Sequence, residues 1–348
     1  MGDKPQLARV KIEQIAELSG VSRSTVSRVL NADPNVKEST RARVADVIER
    51  MNYHPNMVAR RLASGRTHII GLVIPTGVAA LFTDPFFPNL IQGAASVCSA
   101  RDYSVMLWLA EPEQERRTIG QVAHNGLLDG VIVANTLLED PLLEKLLEVG
   151  LPFILVGRHP TNPNVSYVDV DNMNSAREAV KYLLRLGRRR VGTVTGPQRL
   201  ISGADRRAGY EAALRERGLP CDPALIAEGD YTEMGGYMAT QRLLAQQPDA
   251  IFVASDTMAL GVLRALREAG YAVPADVAVV SFDDLPFAAR TEPPLTTIRQ
   301  PIQRTGQIAA ETLIEMIEER AFEPRRIILP TELVIRATCG TALADNRS

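Results

Sequence analysis

The chain has 348 residues, 45% of them hydrophobic and 23% charged, which is the composition of a globular protein with two or three domains. No apolar run approaches the ~20 residues of a membrane-spanning helix, and residues 1–12 lack the apolar core of an export signal, so we expect a cytoplasmic protein with no membrane partner. Residues 1–66 carry 12 Lys and Arg against 7 Asp and Glu, whereas the remainder carries 27 against 34. A basic head on an acidic body predicts that the head binds a polyanion.

Two short amphipathic helices open the chain. Apolar residues at helical spacing predict the first over residues 12–18, ended by Ser19-Gly20, and the second over residues 22–30, with Ser22 as its N-cap. The outer face of the second helix carries Arg23, Ser24, Ser27 and Arg28. Helix, glycine turn and helix with a basic face indicate a helix-turn-helix with residues 22–30 as the recognition helix. On this pattern alone, an ordinary helical hairpin is the alternative.

A third helix is predicted to begin at Ser39 or Thr40 and to complete a small three-helix core. A brief helical pattern follows at residues 56–63. A helix of two turns is unstable alone in water, so it needs the body, a twin subunit or DNA to order it. Leu62 beside two arginines suits a wedge that enters the minor groove, and a solvated linker is the alternative.

From His68 onwards the period of the apolar pattern changes. Residues 69–75 form an apolar run that is typical of a strand buried on both faces of a parallel sheet. Further strands are predicted at 103–109, 130–134, 153–156, 190–195, 250–254 and 277–281, and helices between them at 88–100, 141–149, 175–186, 206–217, 235–245 and 257–269. This alternation predicts an α/β fold, and its length predicts two lobes, with crossings at residues 168–171 and 296–299.

In open α/β sheets the ligand lies beyond the carboxyl ends of the strands. The residues expected there are Phe86 and Phe87, Trp108, Asn135, Arg158, Arg206, Ser255, Asp256, Asp283 and Asp284. Aromatic, guanidinium and carboxylate groups together suit a small polyhydroxylated or planar ligand. Alternatives stay open: the two phenylalanines and Trp108 as core, Asp256 as a helix cap, and one of Asp283 and Asp284 paired with a neighbour.

Signs of an enzyme are missing from the sequence. We find no Walker A, G-x-G-x-x-G, H-E-x-x-H or G-x-S-x-G motif. Three scattered cysteines and four histidines out of ligand spacing predict neither a disulfide framework nor a zinc site. We therefore expect no catalytic activity and no cofactor.

The order of head, short hinge and two-lobed body resembles the lactose-repressor (LacI/GalR) family of bacterial transcription regulators over nearly the whole chain. The markers are residues 12–30, Tyr53-His54-Pro55-Asn56, Ala59-Arg60-Arg61-Leu62, Asp84-Pro85-Phe86-Phe87, 128–132, 206–210, 255–261 and 294–298. The resemblance implies a helix-turn-helix head at 1–54, a hinge helix and linker at 55–66, and a periplasmic-binding-protein-like body of two parallel-sheet lobes at 67–348. The first lobe is expected at 67–168 and 299–326, and the second at 169–298 and 327–341.

The resemblance also implies a homodimer, or a higher oligomer built from it, that binds a near-palindromic double-stranded operator. The protein is expected to repress transcription. Arg23, Ser24 and Arg28 match base-reading positions, Leu62 the minor-groove wedge, and Ser22, Ser27 and Asn31 phosphate contacts. Arg206 and Asp283 match the positions that hold the effector, with Phe87, Arg158 and Ser255 as weaker matches. A sugar is the expected effector, with a purine or, because of Arg158 and Arg206, an anionic sugar as alternatives. An exported solute-binding protein would need a signal and lack the head, and a sugar enzyme would need a catalytic pair.

Overall fold

A computed structural model of the chain describes residues 10–30, 33–53, 66–74, 78–108, 126–134, 137–138, 141–159, 161–319 and 323–340. The predicted sites at Asn31, Leu62 and Asn135 lie outside these residues, as does nearly all of the predicted hinge at 55–66. The chain divides into two compact units, residues 1–67 and 68–348. Among the described helices, none is long and apolar enough to cross a membrane.

The first unit contains the predicted three helices, α1 (Ile12–Ser19), α2 (Arg23–Leu30) and α3 (Glu38–Arg50). Gly20 ends α1 in the left-handed conformation, at φ 64°, which glycine adopts without steric cost. The side chains that form the core come from all three helices and the turn after α3: Ile15, Ala16, Val26, Val44, Val47 and Tyr53. Leu18, expected on the buried face of α1, is 57% exposed, and the neighbouring Ser19 is buried and donates to the Ile15 carbonyl.

The described part of the second unit contains two six-stranded sheets. The first sheet has the spatial order β11-β5-β4-β3-β1-β2 and is parallel throughout. Its strands are β1 (Ile69–Val73), β2 (Ser104–Trp108), β3 (Gly130–Ala134), β4 (Phe153–Val156), β5 (Tyr167–Val170) and β11 (Arg326–Leu329). Every residue of β1, β3 and β4 is buried, because helices cover both faces of the sheet.

The second sheet has the order β12-β10-β9-β8-β6-β7 and is parallel except at its β10–β12 edge. Its strands are β6 (Val191–Thr195), β7 (Ile226–Glu228), β8 (Ala250–Val253), β9 (Ala278–Asp283), β10 (Thr296–Arg299) and β12 (Glu332–Val334). The α-helices of the two lobes within the described residues are α4 (Val78–Thr83), α5 (Phe86–Ala100), α6 (Pro141–Val149), α7 (Asn172–Arg185), α8 (Ile201–Glu216), α9 (Glu233–Leu244), α10 (Asp256–Glu268) and α11 (Ile302–Glu319).

The strand pairings correct the expected lobe boundaries by a few residues. Val170 pairs with Leu329 at the end of β5 and β11, so residues 169–170 and 327–329, which were expected in the second lobe, belong to the first sheet. The predicted crossings at 168–171 and 296–299 are largely strand residues, and the chain passes between the lobes directly after β5, β10 and β11. Asp169 interrupts the apolar pattern of β5, and no strand is predicted from the sequence there.

Candidate functional site

The recognition helix of the first unit presents a polar face. Arg23, Ser24 and Arg28 are exposed on α2, whereas Val26 is fully buried beneath them. The Ser22 hydroxyl caps the helix, since it accepts from the Thr25 amide at 3.2 Å. The side chains predicted to read bases therefore project from a helix face that the small core holds in place.

One of these side chains has a partner within the head. Arg23 Nε lies 3.5 Å from a carboxylate oxygen of Glu13 on α1, and both side chains are more than half exposed. An exposed ion pair of this kind contributes little and exchanges readily for another anion. The pair therefore leaves Arg23 able to contact DNA. Ser27, expected to contact phosphate, is half-buried on the same helix.

Between the two lobes of the second unit lies a cleft of about 1080 Å³, part of it open to solvent. Its lining comes from the carboxyl ends of strands in both sheets, from α5 and α8, and from the crossing segments. The polar and aromatic side chains that line it are Asp84, Phe86, Phe87, Asp169, Asn172, Arg199, Ser202, Arg206, Asp230, Tyr231, Thr232, Ser255, Asp283, Gln300 and Thr305. Of the residues expected at the strand ends, the cleft is lined by Phe86, Phe87, Arg206, Ser255 and Asp283.

Arg206 is the buried cation of the cleft, with 5% of its surface exposed. Its Nε donates to Asn172 Oδ1 at 2.9 Å, and its Nη1 donates to the Ala254 carbonyl at 2.5 Å. The guanidinium plane stacks on Phe282, with Cζ 3.7 Å from the ring centroid. These contacts fix the guanidinium in one orientation, so that a ligand meets a preorganised donor.

Asp283 lies opposite, 3.6 Å from Arg206 Nη1, and accepts from Gln300 Nε2 at 2.5 Å. Its backbone has φ 122°, a conformation that is strained for a residue with a side chain and is concentrated at functional sites. Burial raises the pKa of Asp283 well above its usual value, and the Arg206 charge opposes that rise. The strand β9 therefore ends by turning a desolvated carboxylate into the cleft.

Asp169 and Asn172 connect this pair to the first crossing between the lobes. The Asp169 carboxylate accepts from the Arg158 amide and from Asn172 Nδ2, both at 2.9 Å, and burial raises its pKa to about 6. Asn172 in turn accepts from Arg206 through its Oδ1. Because the amide nitrogen of Asn172 is committed to the carboxylate, its oxygen is oriented towards the guanidinium.

Aromatic rings border the cleft on both sides. Phe86 and Phe87 meet edge to face with their centroids 5.4 Å apart, and Phe87 is buried at the start of α5. Tyr231 approaches from the second lobe and shares a hydrogen bond of 3.0 Å with Ser202. A Cβ on Gly196 would lie 2.3 Å from the Tyr231 hydroxyl, so only glycine leaves room for that ring. Apolar faces beside polar groups are the lining that ring-shaped, hydroxylated ligands require.

Arg158 is a correction, because it lies outside this lining. Its side chain forms two parallel hydrogen bonds with Asp205, with Nε 2.9 Å and Nη2 2.6 Å from the carboxylate oxygens. The expectation that Arg158 contacts the effector came from its position after β4. Its positive charge is instead paired with a carboxylate on α8.

The acidic and serine side chains at the ends of β8 and β9 have separate tasks. Ser255 lines the cleft while its hydroxyl caps α10 by accepting from the Met258 amide at 3.2 Å. Asp256 neither caps the helix nor lines the cleft; it is fully buried and accepts from Ser281, Thr297 and the Leu285 amide. Of Asp283 and Asp284, the one that is paired with neighbouring side chains is Asp284, which accepts from Arg299 and Arg336, each at 2.6 Å.

Trp108 packs in the first lobe among the residues that cover β4 and α6, and does not line the cleft.

Sequence reasoning missed Asn172, Tyr231 and Gln300 as lining residues. Asn172 and Gln300 lie directly after β5 and β10, so the strand-end rule finds them once these segments are recognised as strands. Tyr231 follows the short edge strand β7, which carries no clear apolar signal.

Carboxyl groups outnumber guanidinium groups along the described lining of the cleft. Among the described lining residues, the carboxylates of Asp84, Asp169, Asp230 and Asp283 face the guanidinium groups of Arg199 and Arg206. Asp84 also shows a raised pKa because it is buried. Carboxylates accept and guanidinium groups donate, so the cleft offers both kinds of hydrogen bond that a hydroxyl group makes.

Both units of the chain match known protein families. A sequence profile described as "Bacterial regulatory proteins, lacI family" matches residues 11–56, and one described as "Periplasmic binding protein-like domain" matches residues 180–339. The HTH-type transcriptional regulator CelR of Thermobifida fusca is 38% identical over 332 residues, which cover 94% of this chain and 98% of CelR. AglR of Rhizobium meliloti is 35% identical and covers 96% of this chain and 95% of its own.

Solved structures agree with these relatives. A transcriptional regulator CelR–cellobiose complex is 36% identical, with a TM-score of 0.76, and covers 95% of this chain and 100% of that chain. The lac repressor dimer bound to operator and the anti-inducer ONPF is 28% identical, with a TM-score of 0.84, and covers 95% and 99% of the two chains. The similarity therefore spans head and body together.

Proposed function

The chain belongs to the lacI family of bacterial regulatory proteins, and from the chemistry of its cleft we propose that its effector is a neutral sugar, with a disaccharide the first candidate. The protein is a DNA-binding transcription regulator and not an enzyme. It binds operator DNA as a dimer, under the control of a small effector between its lobes. It acts in the cytoplasm, and we propose that it associates with the nucleoid.

The single observation that carries the proposal is the pairing of Arg206 with Asp283 on the cleft floor. A rigid guanidinium donor beside a desolvated carboxylate acceptor fits two neighbouring hydroxyl groups of one sugar ring. The carboxylates at Asp84 and Asp169 add acceptors, and the rings of Phe86 and Phe87 offer an apolar surface to the sugar face. A purine would leave most of these buried carboxylates without a donor, which costs binding energy.

The anionic alternative loses its main support because Arg158 is paired with Asp205. Only Arg206 then remains as a buried cation among the described lining residues, and Asp283 already offsets its charge. The disaccharide is the first candidate because a solved structure of the relative CelR is a complex with cellobiose.

The DNA-contacting residues form the second part of the proposal. We propose that Arg23, Ser24 and Arg28 read base edges and that Ser22, Ser27 and Asn31 contact phosphate, while Leu62 enters the minor groove. The exposed polar face of α2 supports the first group. We propose that effector binding shifts the population of lobe arrangements and so changes operator affinity.

Calorimetric titration of the full-length protein tests the effector. The panel is cellobiose, glucose, glucuronate, glucose 6-phosphate and adenine, and we expect binding by a neutral sugar alone. Tighter binding of the acid, the phosphate or the purine would refute the neutral-sugar proposal. A gel shift on DNA upstream of the protein's own gene, at moderate salt and with each panel member, tests the regulatory output, since non-specific binding fades steeply with salt.

A further inference from the structure

We infer that Arg158 and Asp205 form a latch that holds the two lobes of the body closed without any effector. Arg158 follows β4 of the first lobe, and Asp205 lies on α8 of the second. The two parallel hydrogen bonds between them therefore join one lobe to the other. A bidentate guanidinium–carboxylate pair is the strongest and most directional ion pair that side chains form.

The latch lies in a partly desolvated position. Asp205 is 16% exposed and Arg158 is 38% exposed, so the carboxylate is largely removed from water while the arginine stem reaches it from the rim. If the lobes separate, this buried carboxylate loses both bonds and must be rehydrated together with Arg158. Opening therefore breaks a specific contact and does not simply widen a solvent gap.

The main chain of Arg158 is held as well as its side chain. Its amide donates to Asp169, Asp169 accepts from Asn172, and Asn172 accepts from Arg206, the residue that follows Asp205 on α8. Together with the Arg158–Asp205 pair, these contacts form a closed ring that includes the Arg206 guanidinium, which faces the cleft. The latch thus helps to position Arg206 in two ways. One is the series of hydrogen bonds through Asp169 and Asn172, and the other is the adjacent residue Asp205 on the same helix.

Two further contacts between the lobes lie near the same opening. The Leu138 amide donates to the Arg199 carbonyl at 2.9 Å, and the Thr257 hydroxyl donates to Asp84 at 3.3 Å. The first contact joins two main chains, and the second is a long hydrogen bond from a hydroxyl to a carboxylate. Neither contact is an ion pair. Arg158 and Asp205 form the one bidentate ion pair between lobes among the described residues.

A latch of this kind sets how much closed form exists before an effector arrives. A protein that is already closed loses less free energy to closure when it binds, and its effector affinity is higher by the same factor. An ion pair at the solvent edge is expected to shift the closed-to-open ratio by about two- to fivefold, with a larger shift at low salt. This inference holds whichever effector occupies the cleft.

The distance between the lobes in the effector-free protein tests the latch. Spin labels are placed at the exposed positions 148 on α6 and 217 after α8, in a Cys221→Ser background, because Cys98 and Cys339 are buried. Pulsed electron–electron double resonance then gives the distance distribution. We expect Asp205→Asn to add a longer-distance population that is minor in the parent and that grows at least twofold.

The reciprocal variant Arg158→Asp/Asp205→Arg restores the pair with its charges exchanged and is expected to recover the parent distribution. Glu211→Gln is the matched control, because it breaks the Arg207–Glu211 pair within α8 and joins no lobes. An Asp205→Asn distribution equal to that of the parent would overturn the latch. So would an open population that the exchanged pair leaves unchanged in a variant whose circular dichroism is native.

Discussion

Arg206 and Asp283 lie 3.6 Å apart on the floor of the cleft, yet each is held in place by another residue. Asn172 and the Ala254 carbonyl fix the guanidinium, and Gln300 fixes the carboxylate. A buried ion pair with shorter contacts would satisfy itself and leave nothing for a ligand. The observed spacing instead presents a fixed donor and a fixed acceptor side by side.

Replacement of Arg206 by alanine is expected to abolish the effector response while operator binding persists. The variant loses a charged donor and leaves Asp283 buried without its nearest cation, and a hydrogen bond to a charged group contributes about 1.5–3 kcal/mol. We therefore expect effector affinity to fall by at least tenfold in calorimetry, with unchanged operator affinity in a gel shift.

Arg207→Ala provides the control for that experiment. Arg207 is the next residue on α8 but is 40% exposed and pairs with Glu211 on the outer surface of the helix. Its removal changes the charge of the protein by the same amount without touching the cleft. Equal loss of effector binding in the two variants would show that Arg206 acts through the helix and not through the ligand.

The regular part of the fold could be predicted because its signal is local. The helix predicted at 257–269 occurs at Asp256–Glu268, and the strand predicted at 130–134 occurs unchanged. By contrast, no helix was predicted from the sequence at α11, whose buried face mixes large apolar residues with the small residues Thr305 and Gly306. A Cβ on Gly306 would lie 2.2 Å from the Leu90 carbonyl, so the close approach of α5 demands the residue that weakens the pattern.

The cleft shows the same division between local and non-local information. Arg206 and Asp283 could be placed in it because each follows from strand ends and from the family resemblance. The fate of Arg158 could not be predicted, since its partner Asp205 is 47 residues away in sequence and lies in the other lobe. Whether Arg158 binds a ligand or pairs with Asp205 depends on how the lobes close, and the apolar periodicity of the sequence does not encode that.

Arg28→Ala is expected to relax sequence preference on DNA. Arg28 is exposed near the end of α2, and a bidentate contact from arginine to guanine gives about 1–3 kcal/mol of discrimination. Selection of bound sites from a randomised operator pool should show preference lost at one position in each half-site. The matched control is Arg43→Ala on α3, an exposed arginine outside the recognition helix, which is expected to leave the selected sequence unchanged.

Leu62→Ala tests the proposed minor-groove wedge. An apolar side chain inserted at a base step stabilises a bent duplex, so the truncated variant is expected to bind operator at least tenfold more weakly. Effector binding, measured by calorimetry on the same preparation, is expected to stay within twofold of the parent. An operator affinity equal to that of the parent would remove Leu62 from the DNA interface.

Asp256→Asn is expected to change how the stability of the protein depends on pH. Burial raises the pKa of Asp256 from 3.8 to about 6, and the carboxyl returns to its ordinary value when the chain unfolds. The folded state therefore binds the proton more tightly, and this contribution to the unfolding free energy is complete below about pH 4 and lost as the pH rises through 6. The loss is roughly 3 kcal/mol for one such group, since a shift of one pKa unit corresponds to about 1.4 kcal/mol.

Urea unfolding followed by circular dichroism at pH 5, 6, 7 and 8 measures this change. Asparagine keeps an oxygen that accepts from Ser281 and Thr297 but places an amide against the Leu285 N–H, so the variant pays a cost that does not depend on pH. Relative to the variant, the parent is thus expected to lose stability between pH 5 and pH 7 and to level off by pH 8. Parallel curves for the two proteins would mean that Asp256 is ionised in the folded state throughout this range.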